Sequence, residues 1–236
     1  MPEAEKTYPV LRNAPIVESI AYFRLGPEMT DDAIAVFRER IRGDFPRDDV
    51  SETNSASGGS TLVFTSDDLK RFVRIGTGDL AYHKLAPYGD GNDFRNELRI
   101  LWGQFRDVVA QVRVTQVALR AINRIEPDDS GGSHEDYFRT YPAISSGVPD
   151  ELFSAFMRLG VLHPVHKDVS GVINWAAQPP TDPVSKVAFI LDIEASRRIR
   201  EPGEDAHMWE SMELLRVFRN QLFFESITEK TVEVYR

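Results

Sequence analysis

Between Pro15 and Gly26-Pro27 the chain runs Ile16-Val17-Glu18-Ser19-Ile20-Ala21-Tyr22-Phe23-Arg24-Leu25, and this crowding of β-branched and aromatic residues predicts a strand. A different period follows. Ala33, Ile34, Phe37 and Ile41 recur at helical spacing behind Thr30, a capping residue, and behind Asp31 and Asp32, acids suited to the positive end of a helix dipole. The helix should stop near Gly43. Residues 51–60 hold nothing to bury and read as a loop. Thr61–Thr65, Leu69–Ile75 and Leu80–Leu85 then look like a small meander, with Gly76-Thr77-Gly78-Asp79 supplying the positive-φ residues of a tight hairpin. Beyond a cap at Asp90 or Asn92, Phe94, Leu98, Leu101, Trp102, Phe105, Val108 and Val109 define an amphipathic helix. Its other face carries Arg95, Arg99 and Arg106. Val112–Ile125 reads as a strand.

The second half repeats the style. Pro149 with Leu152, Phe153, Phe156 and Met157 predicts a short helix ending at Gly160. Strands are expected at Val161–His166, Gly171–Ala177 and Lys186–Ala195, the last two separated by Pro179-Pro180-Thr181-Asp182-Pro183. A long helix over Asp205–Phe224 aligns Met208, Met212, Leu215, Phe218 and Leu222, and Ser226 with Glu229 suggests a capping box for a last short turn.

Runs of strands with interposed helices, rather than strict alternation, predict an α+β fold. The expected form is antiparallel sheets, each packed by a long amphipathic helix, as a degenerate duplication of one α+β unit. No word longer than two or three residues recurs, so element order carries that reading. The Pro127–Ser133 run divides the chain into an N-terminal half (1–127), a linker (128–148) and a C-terminal half (149–236).

Composition removes chemistry. The 236 residues contain no cysteine, which excludes disulfides, thiolate metal sites and cysteine nucleophiles, and makes the cytoplasm the default compartment. Apolar runs such as Val187–Leu191 are far too short to cross a bilayer, and the polar, acidic N-terminus does not read as a secretory signal, so no membrane association is expected. The formal charge of -9 argues against anionic partners until its distribution is read. From Arg95 to Arg124 six arginines face Glu97 and Asp107, a locally basic stretch. Further basic clusters lie at Arg197-Arg198-Ile199-Arg200 and at Arg216 with Arg219. No recognised nucleic-acid motif accompanies them, so nucleic-acid binding is not favoured.

Candidate chemistry is sparse. Glu18 sits mid-strand among apolar residues, where a carboxylate is costly unless paired or exposed, and a partner is available in Arg120, which shares a strand face with Ile122 and Arg124. His163 and His166 flank Pro164 in a predicted strand and should point to opposite faces. His134-Glu135-Asp136 reads as a solvated acidic loop. Arg158 and His163 have a spacing used by small helical ribonucleases, but Gly160 and Pro164 interrupt any shared helix. Phosphate-binding glycine loops and a nucleophile elbow are missing. Neither metal nor cofactor is expected, and enzymatic activity is disfavoured.

Four segments resemble a sporadically distributed, uncharacterised bacterial protein family: Leu11-Arg12-Asn13-Ala14-Pro15-Ile16-Val17-Glu18, Leu119-Arg120-Ala121-Ile122-Asn123-Arg124-Ile125, Asp136-Tyr137-Phe138, and Asn220 to Lys230. The chain departs from the family pattern at Ala121, where an aromatic residue is usual, and after Ala86-Pro87-Tyr88, where Gly89-Asp90-Gly91-Asn92 replaces a favoured tryptophan. The resemblance implies no activity. It does imply a mobile, defence-related or toxin-antitoxin-like setting. The candidate binding residues are Glu18, Tyr88, Arg120, Asn123 and Arg124.

Together these features predict a non-enzymatic protein-interaction or ligand-binding protein. Residues Trp209, Leu214, Val217, Phe223 and Phe224, beyond the main stripe of the last long helix, favour burial against a partner protein or a second copy. The alternatives are an enzyme with a cleft between the halves lined by Glu18, Arg120, Asn123 and Arg124, and a nucleic-acid-binding protein using the Arg95–Arg124 surface.

Overall fold

The computed structural model describes residues 8–51, 61–89, 91–109, 111–127, 133–143, 145, 147–148, 154–178, 188–199 and 205–236. Its strands are β1 (Ile16–Gly26), β2 (Arg47–Ser51), β3 (Thr61–Thr65), β4 (Arg71–Gly76), β5 (Asp79–Leu85), β6 (Arg113–Ile125), β7 (Ala155–Leu162), β8 (Val169–Gln178) and β9 (Ala188–Arg198). The helices are α1 (Asp31–Ile41), α2 (Gly91–Val108), α3 (His134–Tyr137), α4 (Asp205–Ser226) and α5 (Glu229–Tyr235). The class is α+β. The strands form a single antiparallel sheet of nine, in the order β2-β3-β4-β5-β1-β6-β9-β8-β7, where separate sheets were expected.

This order has a centre. β1 and β6 pair antiparallel along almost their whole length. From β1 the chain travels out, returns through the β3-β4-β5 meander to the far side of β1, and enters α2. From β6 it travels out, returns through β7-β8-β9 to the far side of β6, and enters α4. The division at residues 127 and 149 therefore does not divide the sheet, because β6 pairs with both β1 and β9.

Alternation along the strands assigns the two faces. Ala21 and Phe23 of β1, Val117 and Leu119 of β6, and Leu191 and Ile193 of β9 are buried beneath the helices. One cluster joins Phe23, Phe37, Phe64, Trp102 and Phe105 with Leu215 and Phe218. A second gathers Tyr137, Phe138, Trp175, Phe189, Ile227 and Val232 around α3 and α5. α4 lies across β6, β8 and β9, and Gly171 of β8 admits it closely, since a Cβ there would crowd Leu222, Phe218 and Val161.

Several local expectations change. Ala155–Leu162 is an edge strand, not the end of a helix; the apolar spacing around Phe156 imitates a helical stripe, but β8 supplies a complete ladder partner. β2 has the polar sequence Arg-Asp-Asp-Val-Ser and gave no strand signal. The hairpin at Gly76–Asp79 closes without a left-handed residue, and positive φ occurs at Leu69 and Gly89 instead. Thr228, not Ser226, caps α5, accepting from Thr231 N, while the Ser226 hydroxyl donates to Leu222 O. His134–Tyr137 is a helical turn closed by a Ser133–Asp136 capping box rather than a loop. Residues 52–60, 128–132, 149–153 and 179–187, with their predicted loops, boundary and helix start, lie outside the described residues.

Candidate functional site

The predicted site residues fall on opposite faces of the sheet. Glu18, Arg120 and Arg124 share the face away from the helices, where each has its own partner. His83 Nδ1 lies 2.7 Å from Glu18 Oε1. Arg120 donates through Nε and Nη2 to the two oxygens of Asp192, both at 2.7 Å, and Asn174 Nδ2 donates to Asp192 Oδ2 at 2.9 Å. Arg124 donates to Glu126 and Gln178. The expected Glu18–Arg120 ion pair is therefore absent from these bonds. Register explains it: Arg120 stands opposite Ile20 of β1 and Glu194 of β9, whereas Glu18 stands opposite Ile122 and Leu85.

The electrostatics of this face follow from partial burial. Burial holds the His83 imidazole below its ordinary pKa even though Glu18 pulls the other way. Burial raises Glu194, and the hydrogen-bonded Asp192 raises Arg120. His83 also stacks on Phe72, with ring centroids 4.2 Å apart. Its Nε2 is buried without a partner among the described residues, so the ring is closed to solvent on that side.

The cleft lies on the helix face. A cavity of about 1010 Å³ opens between α2, α4 and the segment Tyr8–Ile16, above the central strands. Its floor is Leu119, Ala121 and Asn123 of β6 with Ile193 of β9. Of the predicted residues, it brings together Tyr88 and Asn123 and leaves out Glu18, Arg120 and Arg124. This cavity is therefore not the cleft lined by Glu18 and Arg120 on which the enzyme alternative rests. Asn123 is buried, and its amide donates to Leu191 O at 2.9 Å and Ala121 O at 3.3 Å.

Long side chains bridge the antiparallel α2 and α4 along the cavity. Trp102 Nε1 donates to Asp205 at 2.9 Å, Arg99 covers the Trp209 ring at 4.9 Å, and Arg95 lies 3.6 Å from Glu213. Glu213 also takes Arg216 at 2.6 Å, and Arg216 holds its carboxyl below the ordinary pKa, with Arg95 contributing. Continuing the ladder, Tyr88 faces Arg219.

Arg219 is the residue that sequence reasoning missed. In the sequence it reads only as part of a basic cluster with Arg216, yet it lines the cavity and is only 8% exposed. Its contacts are neutral: Nη2 donates to Asn220 Oδ1 at 3.2 Å, and the Tyr88 hydroxyl is the other hydrogen-bonding group. Burial disfavours its charged form, Arg216 adds repulsion, and Tyr88 opposes both. The signal was present in the spacing. Arg219 stands four residues after Leu215 and three before Leu222, a stripe position held by a cation.

Other candidates are accounted for within the chain. Trp209 and Leu214 pack against the first cluster and Phe223 and Phe224 against the second, so these α4 residues serve internal contacts. His163 and His166 sit in a turn with rings 5.0 Å apart rather than on opposite strand faces, and His163 Nδ1 accepts from the backbone of Val165 and His166. Among the described residues no group of three potential metal ligands occurs, and no helix is long and apolar enough to cross a membrane. Compared with models of protein families and with curated proteins, the chain matches none.

Proposed function

We propose that the protein is a non-enzymatic ligand-binding protein whose cavity above β6 receives a small organic molecule. One observation carries this: a cavity of about 1010 Å³, with a floor apolar except for Asn123 and with convergent polar groups, is held open where the two connectivity units meet. Its volume suits a drug-sized molecule. Replacing Ala121 by Trp fills the floor while leaving the polar wall in place. Native mass spectrometry of the protein purified from its own cell is the test: a small-molecule adduct on the wild type, lost in Ala121→Trp, is expected, and the same bare mass for both overturns the reading.

The matching paths β1-meander-α2 and β6-meander-α4 support a degenerate duplication, with the cavity at its seam. Membership of the sporadic bacterial family, and with it a defence or toxin-antitoxin-like setting, rests on the four resembling segments.

A second reading, protein interaction, is favoured by the β7 edge. Phe156 is 68% and Leu162 64% exposed on a strand with a free ladder edge among the described residues. A strictly monomeric mass across the micromolar range would remove self-association from this reading.

A further inference from the structure

We propose that Arg219 anchors the carboxylate of an amphipathic monocarboxylic acid whose apolar body lies along the β6 floor of the cavity, an inference that rests on the ligand-binding reading above. A guanidinium presents five N–H donors in a planar fork that matches a carboxylate bidentately. Arg219 meets the neutral oxygens of Asn220 and Tyr88, and no carboxylate is among its contacts in the described residues. A cation buried to this extent is costly without a counter-charge, and the surface it shares with the cavity is where that charge can enter.

The charge bookkeeping selects a monoanion. Arg95 and Arg216 share Glu213, and Arg99 lies over the Trp209 ring, so these cations are already engaged along the α2–α4 ladder. Arg12 and Glu210 also line the cavity but are exposed, so Arg219 is the deep, carboxylate-free charge. A phosphate dianion would need a second such cation, whereas one carboxylate balances Arg219 alone. The neighbouring surface fixes the rest of the ligand. Leu119, Ala121 and Ile193 form the apolar part of the floor beside Asn123, and Phe94, Leu98 and Met212 extend it, giving an aliphatic or aromatic body a place to leave water. The Tyr88 hydroxyl, beside Arg219, orients the head group.

Isothermal titration calorimetry on the full chain with decanoate, 1-decanol and inorganic phosphate separates the possibilities. Decanoate should bind at one site at least tenfold more tightly than 1-decanol, and phosphate should not compete with it. Arg219→Gln should reduce decanoate affinity at least tenfold to the level of the alcohol while leaving alcohol binding unchanged. Arg219→Lys, which keeps the charge and loses the fork, should fall between. If Arg219→Gln does not fold, Arg219→Lys and Tyr88→Phe carry the test, each weakening decanoate alone. Equal binding of decanoate and 1-decanol to the wild type, both lost in Ala121→Trp, overturns the anchor and leaves the ligand-binding reading standing. Phosphate competing as strongly as decanoate overturns the monocarboxylate. If none of the three probes binds the wild type, the anchor falls, and the native mass spectrum decides the ligand-binding reading separately.

Discussion

The Glu18 carboxylate meets His83 Nδ1 at 2.7 Å across the β1–β5 pair, and yet burial keeps the imidazole below its ordinary pKa. The unfolded chain, with a histidine pKa near 6.5, therefore binds this proton more readily than the folded one. The stabilisation from neutral His83 is present above about pH 6.5 and is lost as pH falls through that value and the lower folded pKa. Removing the charge with Glu18→Gln should move the folded His83 pKa lower still. Histidine NMR titration of wild type and variant checks this, and an upward movement would contradict it.

Asp192 is 8% exposed and held by the two-pronged contact from Arg120, itself 39% exposed. Arg120→Met should destabilise by about 2 kcal/mol, less than the 3–5 kcal/mol of fully buried pairs, because water reaches the arginine. Adding Asp192→Leu should recover much of that loss. Urea unfolding of the single and double variants is the measurement.

At Gly171 an added methyl would overlap Leu222 Cδ1 and stand 3.1 Å from both Phe218 Cε1 and Val161 Cγ2. Gly171→Ala should cost about 1–2 kcal/mol by overpacking. Leu222 is the movable neighbour, so Gly171→Ala with Leu222→Ala should cost less than the sum of the single changes. A denaturant double-mutant cycle reports the difference.

Ser19 is fully buried in β1 and its Oγ lacks a partner among the described residues. Ser19→Ala removes that hydroxyl without a bond to lose, so stability should stay level or rise by up to about 1 kcal/mol. Thermal melts would show a clear drop if the hydroxyl contributed.

Strands and helices with an apolar period were legible in the residues. β1, α2, β6 and α4 follow their patterns closely because each buries one face of its own. What escaped was pairing. Arg120 and Glu18 each occupy the expected face, but strand register decides neighbours, and β9 brings Asp192 and Glu194 where β1 was expected to bring Glu18. Likewise the period of Phe156 and Met157 fits helix or strand, and the β8 ladder decided it. Asn123 and Tyr88 reached the cavity for a reason that no single segment holds, since its walls come from α2, α4 and the segment before β1.

The central β1–β6 pair joins strands that leave the ribosome far apart in time. At roughly 5–20 residues per second, several seconds of synthesis separate them. In the last part of that interval, once β5 has been made and has paired with it, β1 presents the raw edge that will become the middle of the finished sheet. A nascent chain of this protein is thus open to mispairing at its future centre rather than at its rim, and a chaperone that shields the N-terminal half should matter until Ile125 has emerged.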